Sequence, residues 1–211
     1  MDQVSRPKYD DKALSELELR ATAYTAQAIE RANPEEIAAG KGWYPVARQW
    51  AQIVGEAAGF RGNRARDRGA MAIGVLSPRV RWAQNLDDAM AIATDAFDHE
   101  PSAFGTNIQK ASVILSDFAT DSEAEEMVGG KKVQAFVDNI RFPLHSQAVV
   151  IDTWMCKLFE IPGRDIELKG VYEALAKGVQ VAAHAYHMRP CEAQAIAWVN
   201  TRGPEKENVI G

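Results

Sequence analysis

Residues 125–159, EEMVGGKKVQAFVDNIRFPLHSQAVVIDTWMCKLF, carry the reading on which the rest of the chain depends. They run as a helix end, a tight Gly129-Gly130 turn, a basic pair Lys131-Lys132, and an apolar stripe Val133, Phe136, Val137 and Ile140 at helical spacing. A loop follows, then a short apolar run Ala148–Ile151 that suits extended backbone. Asp152 comes next, ahead of a second stripe of Ile151, Trp154, Met155 and Leu158. A glycine pair permits positive φ or close backbone approach. Because this turn opens a helix, its free N–H groups suit a phosphate, and Lys131 and Lys132 add charge there. Asp152 precedes a helix, so it reads both as an N-cap and as a carboxylate presented at a turn.

Outward from this stretch the periodicity stays helical. Leu14, Leu17, Ala21, Tyr24 and Ala28 mark one helix, and Val46, Trp50, Ile53, Val54 and Ala57 a second, with Asn33-Pro34 between them. A break rich in Gly and Arg spans 59–69. Helices follow through Ile73 and Leu76 to about Met90, a short one over Ala91–Phe97, and one through Ile108, Ala111, Leu115 and Phe118. Val171–Tyr186 and Pro190–Val199 close the chain. No segment alternates like a strand. The expectation is an all-α, multi-helix bundle: N-terminal helices over 1–69, a central region over 70–200 and a loose tail over 201–211.

Composition narrows the function classes. The 211 residues are 46% hydrophobic and 25% charged, as in a globular chain. No long uninterrupted apolar run is present, so no membrane span is expected. The N-terminus MDQVSRPKYDDK has no apolar core of a signal peptide, and the only cysteines are Cys156 and Cys191. A cytoplasmic, reduced setting follows as the expectation, with no disulfide scaffold and no cluster held by four cysteines of this chain. The net charge of −5 counts against a generic nucleic-acid binder, yet Arg61, Arg64, Arg66, Arg68, Arg79 and Arg81 crowd together.

Gly130-Lys131-Lys132-Val133 followed by Ile151-Asp152-Thr153-Trp154 resembles the helix-hairpin-helix base-excision DNA glycosylases, the endonuclease III relatives. Their hairpin Gly-Val-Gly-x-Lys-Thr-Ala leads to Val-Asp-Thr-His. In matching order, Ala72–Arg79 resembles the family's Leu-Leu-Ser-Ala-Gln helix, Phe104–Ala111 its Gly-x-x-Asn-x-Lys-Ala segment, and Gln194–Trp198 the closing helix of oxoguanine-type members. The likeness covers roughly 70–200. The chain departs from the pattern in a shortened hairpin, Met127–Gly130, in Trp154 where the family has His, and in lacking the iron–sulfur loop. The missing iron–sulfur loop and the compact size suggest a divergent, phage or bacterial member.

The resemblance implies a glycosylase of the helix-hairpin-helix fold acting on double-stranded DNA; from the chain's own residues no cofactor, no metal and no membrane are expected. Asp152 would stabilise positive charge on the deoxyribose. Lys132, with Lys131 in reserve, would attack the sugar and form the Schiff base of an AP lyase. Ser77, Arg79, Gly129, Gly130 and Lys131 would contact DNA. Trp82, Phe104 or Trp154 would stack on an everted base. The alternative is a non-catalytic DNA-binding protein that keeps the fold, and a third class is a helical interaction protein.

Plainer readings stand beside these. Asp152 can be a cap alone, the lysines and the Arg61–Arg68 cluster solvated surface, and the glycine pair an ordinary helix connection. Trp43, Trp50 and Trp198 suit core anchors, and Cys156 a small buried apolar residue. His184, His187 and Cys191 have spacing that touches on a metal site, although Pro190 breaks the helix between them. His145 and His99 read as loop or helix-end residues.

Overall fold

The computed structural model describes residues 9–96 and 100–202. Among these residues all regular structure is helical, as the periodicity predicts. The helices are α1 Asp11–Arg31, α2 Pro34–Ala57, α3 Gly62–Leu76, α4 Trp82–Thr94, α5 Gly105–Ile114, α6 Asp121–Glu126, α7 Lys131–Arg141, α8 Thr153–Leu158, α9 Val171–Ala185 and α10 Pro190–Arg202, with a 3-10 turn at Gly163–Glu167. No helix among the described residues is long and apolar enough to cross a membrane.

The chain forms two compact units. Residues 9–40 and 149–202 make a terminal unit, and the described residues between 41 and 148 make a central one. The expected boundary at 69/70 is therefore replaced. Residues 62–76 form one unbroken helix, and the Gly/Arg-rich segment is mostly its first turns. The division falls instead inside α2, near Pro45. Proline has no N–H to give the carbonyl of Lys41, so the helical ladder is interrupted at that turn.

In the terminal unit α1 is capped by Asp10, whose carboxylate accepts from Ala13 N at 2.8 Å. Its buried face, Leu17, Ala21 and Ala28, packs on α9 through Val171, Leu175 and Val179. Met155 and Phe159, both without exposed surface, fill the middle. Burying a side chain such as Phe159 is worth about 1.5–3 kcal/mol. A second cluster joins Ile29, Ala183, Ala193 and Ile196.

In the central unit α3 is the hub and meets α4, α5, α6 and α7. Its crossing with α2 is backbone on backbone. A Cβ added to Gly55 would lie 1.8 Å from the carbonyl oxygen of Ala65, and one on Gly69 would lie 1.8 Å from that of Ala51. Only glycine fits at either place. Arg68, expected as part of a solvated cluster, is fully buried. It donates to Ile114 O (2.8 Å), Ala119 O (2.6 Å) and Asp121 Oδ1 (2.8 Å), and so fixes the path from α5 into α6. Asp88, also fully buried, accepts from Ser102 N and Ala103 N and fixes the approach to α5.

Other expectations shift in detail. The short helix expected over Ala91–Phe97 is the end of α4 as far as Thr94, and Phe97 lies outside the described residues, as does His99. Phe118 fits a helical stripe by spacing, but α5 stops at Ile114, and Phe118 is 98% exposed. Thr201 and Arg202 belong to α10, and the rest of the expected tail lies outside the described residues.

Candidate functional site

Asp152 sits in the terminal unit at the end of a buried segment outside the helices, Val149–Ile151. The hydroxyl of Tyr172 on α9 ties that segment down by donating to Val149 O (2.8 Å) and accepting from Ile151 N (3.4 Å). Burial pushes this hydroxyl up to about 12, so it stays protonated as a donor. Asp152 is the N-cap of α8. Its Oδ1 accepts from Trp154 N and Met155 N, each at 2.9 Å. Its Oδ2 accepts from Trp198 Nε1 on α10, also at 2.9 Å. The side chain remains half-buried. Trp154 is half-buried beside it, with the Lys157 ammonium 3.9 Å from its ring centroid. Arg202 stacks at 4.9 Å on the ring of Trp198. Trp198 packs against the core of the terminal unit, as expected of an anchor. It is half-buried, and its indole N–H goes to Asp152. Cys156 is buried, and desolvation pushes its thiol up to about 11, which leaves it no nucleophile at neutral pH.

The central unit holds the glycine turn. Met127–Gly130 joins the short α6 to α7, and Gly130 takes φ +78° as the residue before α7, a conformation that favours glycine. Gly130 has no side chain to cap the helix, so the first amides of α7 have no side-chain cap. Lys131 is exposed and Lys132 half-buried at that end. Lys132 makes no ion pair among the described residues. The frame behind the turn is firm. Arg141 binds Glu125 of α6 at 2.8 Å and Asp67 of α3 at 3.4 Å, beside a pocket of about 220 Å³ reaching to Val128 and Asp138. Gln134 donates back to Val128 O. A cation that sequence reasoning misses joins this end. The ammonium of Lys110 on α5 lies 3.9 Å from where a Cβ on Gly129 would be. Its one signal in the sequence is its place in the Phe104–Ala111 segment.

Two more candidates meet in the central unit. Arg79 lies in the turn between α3 and α4 with φ +64°, a strained value for a residue with a side chain. Its guanidinium stands 5.9 Å over the ring of Phe104, which is 50% exposed at the start of α5. Ser77 closes α3 and donates its hydroxyl to Gly74 O. Trp82 does not join them. It is buried against Trp43 (5.5 Å between centroids) and edge-on to Phe136 (6.4 Å), a core residue with no face for a base. Trp43 is the core anchor expected, whereas Trp50 is only half-buried.

His184 and His187 are exposed while Cys191 is buried, so the three do not share an environment, and no group that could hold a metal occurs among the described residues. His145 is exposed in the loop after α7. Lys132 belongs to the central unit and Asp152 to the terminal one.

A family model described as Family of unknown function (DUF7178) matches residues 11–205. No curated protein matches the chain, and no solved structure does.

Proposed function

The chain belongs to that family of unknown function, and we propose, from its own residues, that it is a helix-hairpin-helix DNA glycosylase that excises a damaged or modified base from double-stranded DNA. The observation that carries this is the glycine turn between α6 and α7. It brings uncapped helix amides, Lys131, Lys132 and nearby Lys110 to one exposed end, which is the chemistry that takes a backbone phosphate. Arg79 and Phe104 supply a cation and an exposed ring on the same unit, suited to an unstacked nucleotide.

The bond from the deoxyribose carbon to the base nitrogen breaks, and its electron pair leaves with the base, which is then protonated. Positive charge grows on the sugar, and the fixed carboxylate of Asp152 stabilises it. Water adds to the sugar carbon in a monofunctional enzyme. In a bifunctional one the amine of Lys132 adds instead, the sugar ring opens to a Schiff base, and β-elimination expels the 3′ phosphate. Trp154 or Phe104 would stack on the everted base.

The test is a panel of duplexes with different lesions and modified bases, read for alkali-dependent strand cleavage. Base release abolished in Asp152→Asn supports the reading. A borohydride-trapped adduct with abasic DNA, lost in Lys132→Ala, adds the lyase step. The net charge of −5 favours a second reading, a DNA binder that keeps the fold without the chemistry. It predicts salt-sensitive duplex binding and no released base.

A further inference from the structure

Base excision as proposed above needs a carboxylate held in one orientation, and a helix cap holds only half of one. The two backbone N–H bonds that cap α8 both end on Oδ1 of Asp152. Capping requires nothing of the second oxygen. That oxygen takes its bond from Trp198, 46 positions further along the chain. We propose that Trp198 is a positioning residue, whose indole N–H locks Oδ2 so that Asp152 presents a single open lone-pair direction to the deoxyribose. This inference rests on the glycosylase reading.

An ionised carboxylate offers about four acceptor directions. Trp154 N, Met155 N and Trp198 Nε1 occupy three of them. The remaining direction lies on Oδ2, the oxygen that α8 leaves free to swing. The donor that stops this swing is itself anchored. Its helix is part of the unit's core through Ala193, Ile196 and Ala197, none of which has exposed surface. The Arg202 guanidinium stands 4.9 Å over the indole centroid, and the ring packs against the core of the unit. Any half-buried indole seeks an acceptor. Here the acceptor is the charged group assigned to the chemistry, and the bond crosses from α10 to the mouth of α8.

The experiment uses the full chain in two arms. Trp198→Phe keeps a ring and deletes the donor. The expected result is single-turnover base release slowed about tenfold or more, with duplex affinity held within about twofold, because orientation and not binding is lost. Loss of rate and affinity together, or of neither, overturns the proposal. The second arm needs no activity. Asp152→Ser keeps a capping oxygen for α8 and removes Oδ2, so the Trp198 indole proton should move upfield in a ¹⁵N–¹H spectrum while the Trp154 and Met155 amides stay bonded. An unmoved indole resonance overturns the proposal as well. A wild type that releases no base from any duplex refutes the glycosylase reading, and the hold of Trp198 on Asp152 is then judged by the indole resonance alone, so the two failures are told apart.

Discussion

Helices α7 and α8 both start at turns, and they start in opposite electrostatic senses. α8 opens on the carboxylate of Asp152, which meets the positive end of the helix and accepts its first amides. α7 opens on Gly130, which offers no side-chain cap, and places Lys131 and Lys132 in the first turn with no acidic residue among them. Each such cation at a helix N-terminus opposes the macrodipole by about 0.3–1 kcal/mol. The carboxylate is therefore stabilised by the helix that presents it, while the two lysines sit against the dipole of theirs. A group completed by its own helix and a pair of charges set for an anion are what the proposed reaction asks of Asp152 and of the glycine turn.

Arg68 offers the largest break in this contrast. Arg68→Ala leaves the carbonyls of Ile114 and Ala119 buried without their donor and opens a cavity in α3, at a cost of about 3–5 kcal/mol. Amide exchange should lose protection over α5, α6 and α7. The Val149–Ile151 segment and α8, in the other unit, should keep theirs. Arg68→Lys should recover only part, since one ammonium cannot reach three acceptors set for a planar fork.

Arg68 also marks where sequence reasoning runs out. A guanidinium in an Arg-rich run reads as solvated, and its burial depends on acceptors 46 to 53 positions away. The bond from Trp198 to Asp152 is invisible for the same reason. Local features are legible. The stripe over Val133–Ile140 does bury Val137 and Ile140, Gly130 does need positive φ, and Asp152 is a cap. Trp82 misleads because an aromatic at the start of a helix has the same pattern whether it stacks on a base or fills a core. Phe118 misleads because spacing alone does not show that α5 ends four residues earlier, at Ile114. The division into units escapes because the terminal unit is assembled from both ends of the described chain, while composition is read one window at a time.

The cap ranks next. Asp152→Ala removes both N–H bonds at the start of α8 and strands the Trp198 indole, for a loss of about 1–2 kcal/mol in urea unfolding. Asp152→Ser should return most of this. Asp152→Asn separates cap from hold. Its amide oxygen can still cap, but its NH₂ then faces the indole N–H, donor against donor. Trp198→Phe in the Asp152→Asn background should therefore raise stability, whereas in the wild type it lowers it.

Charge reversal at the glycine turn is smaller and opposite in sign. Lys132→Glu puts an acid where the α7 macrodipole favours one and should stabilise the chain by about 0.3–1 kcal/mol in thermal or urea unfolding. Duplex binding should weaken, and the salt dependence should flatten by about one unit of slope for every phosphate that is no longer neutralised. A variant that is both less stable and an unaltered DNA binder would place Lys132 among structural residues and remove the contrast with α8.

The start of α6 gives the mildest test, because it resembles α8 and not α7. Thr120 and Glu123 form a reciprocal cap there, and the hydrogen bond from Arg64, then that from Arg68, holds the Asp121 carboxyl below its ordinary 3.8. Glu123 is likewise lowered, first by its bond from the Thr120 backbone N–H. With folded values depressed, the stabilisation is complete above the unfolded values and is lost only as pH falls through the folded ones. Both carboxylates are well exposed, so the effect is small and shrinks in salt. Acidification through the folded values of these two carboxyls should therefore shift the amide resonances of Glu123 and Ala124. The first amides of α7 should hold still, having no acid in their turn to lose. Asp121→Asn separates the contributions: if the acid response at Glu123 and Ala124 persists in that variant, the Glu123–Thr120 cap carries it, and the arginines hold α6 through Arg68's carbonyl acceptors instead.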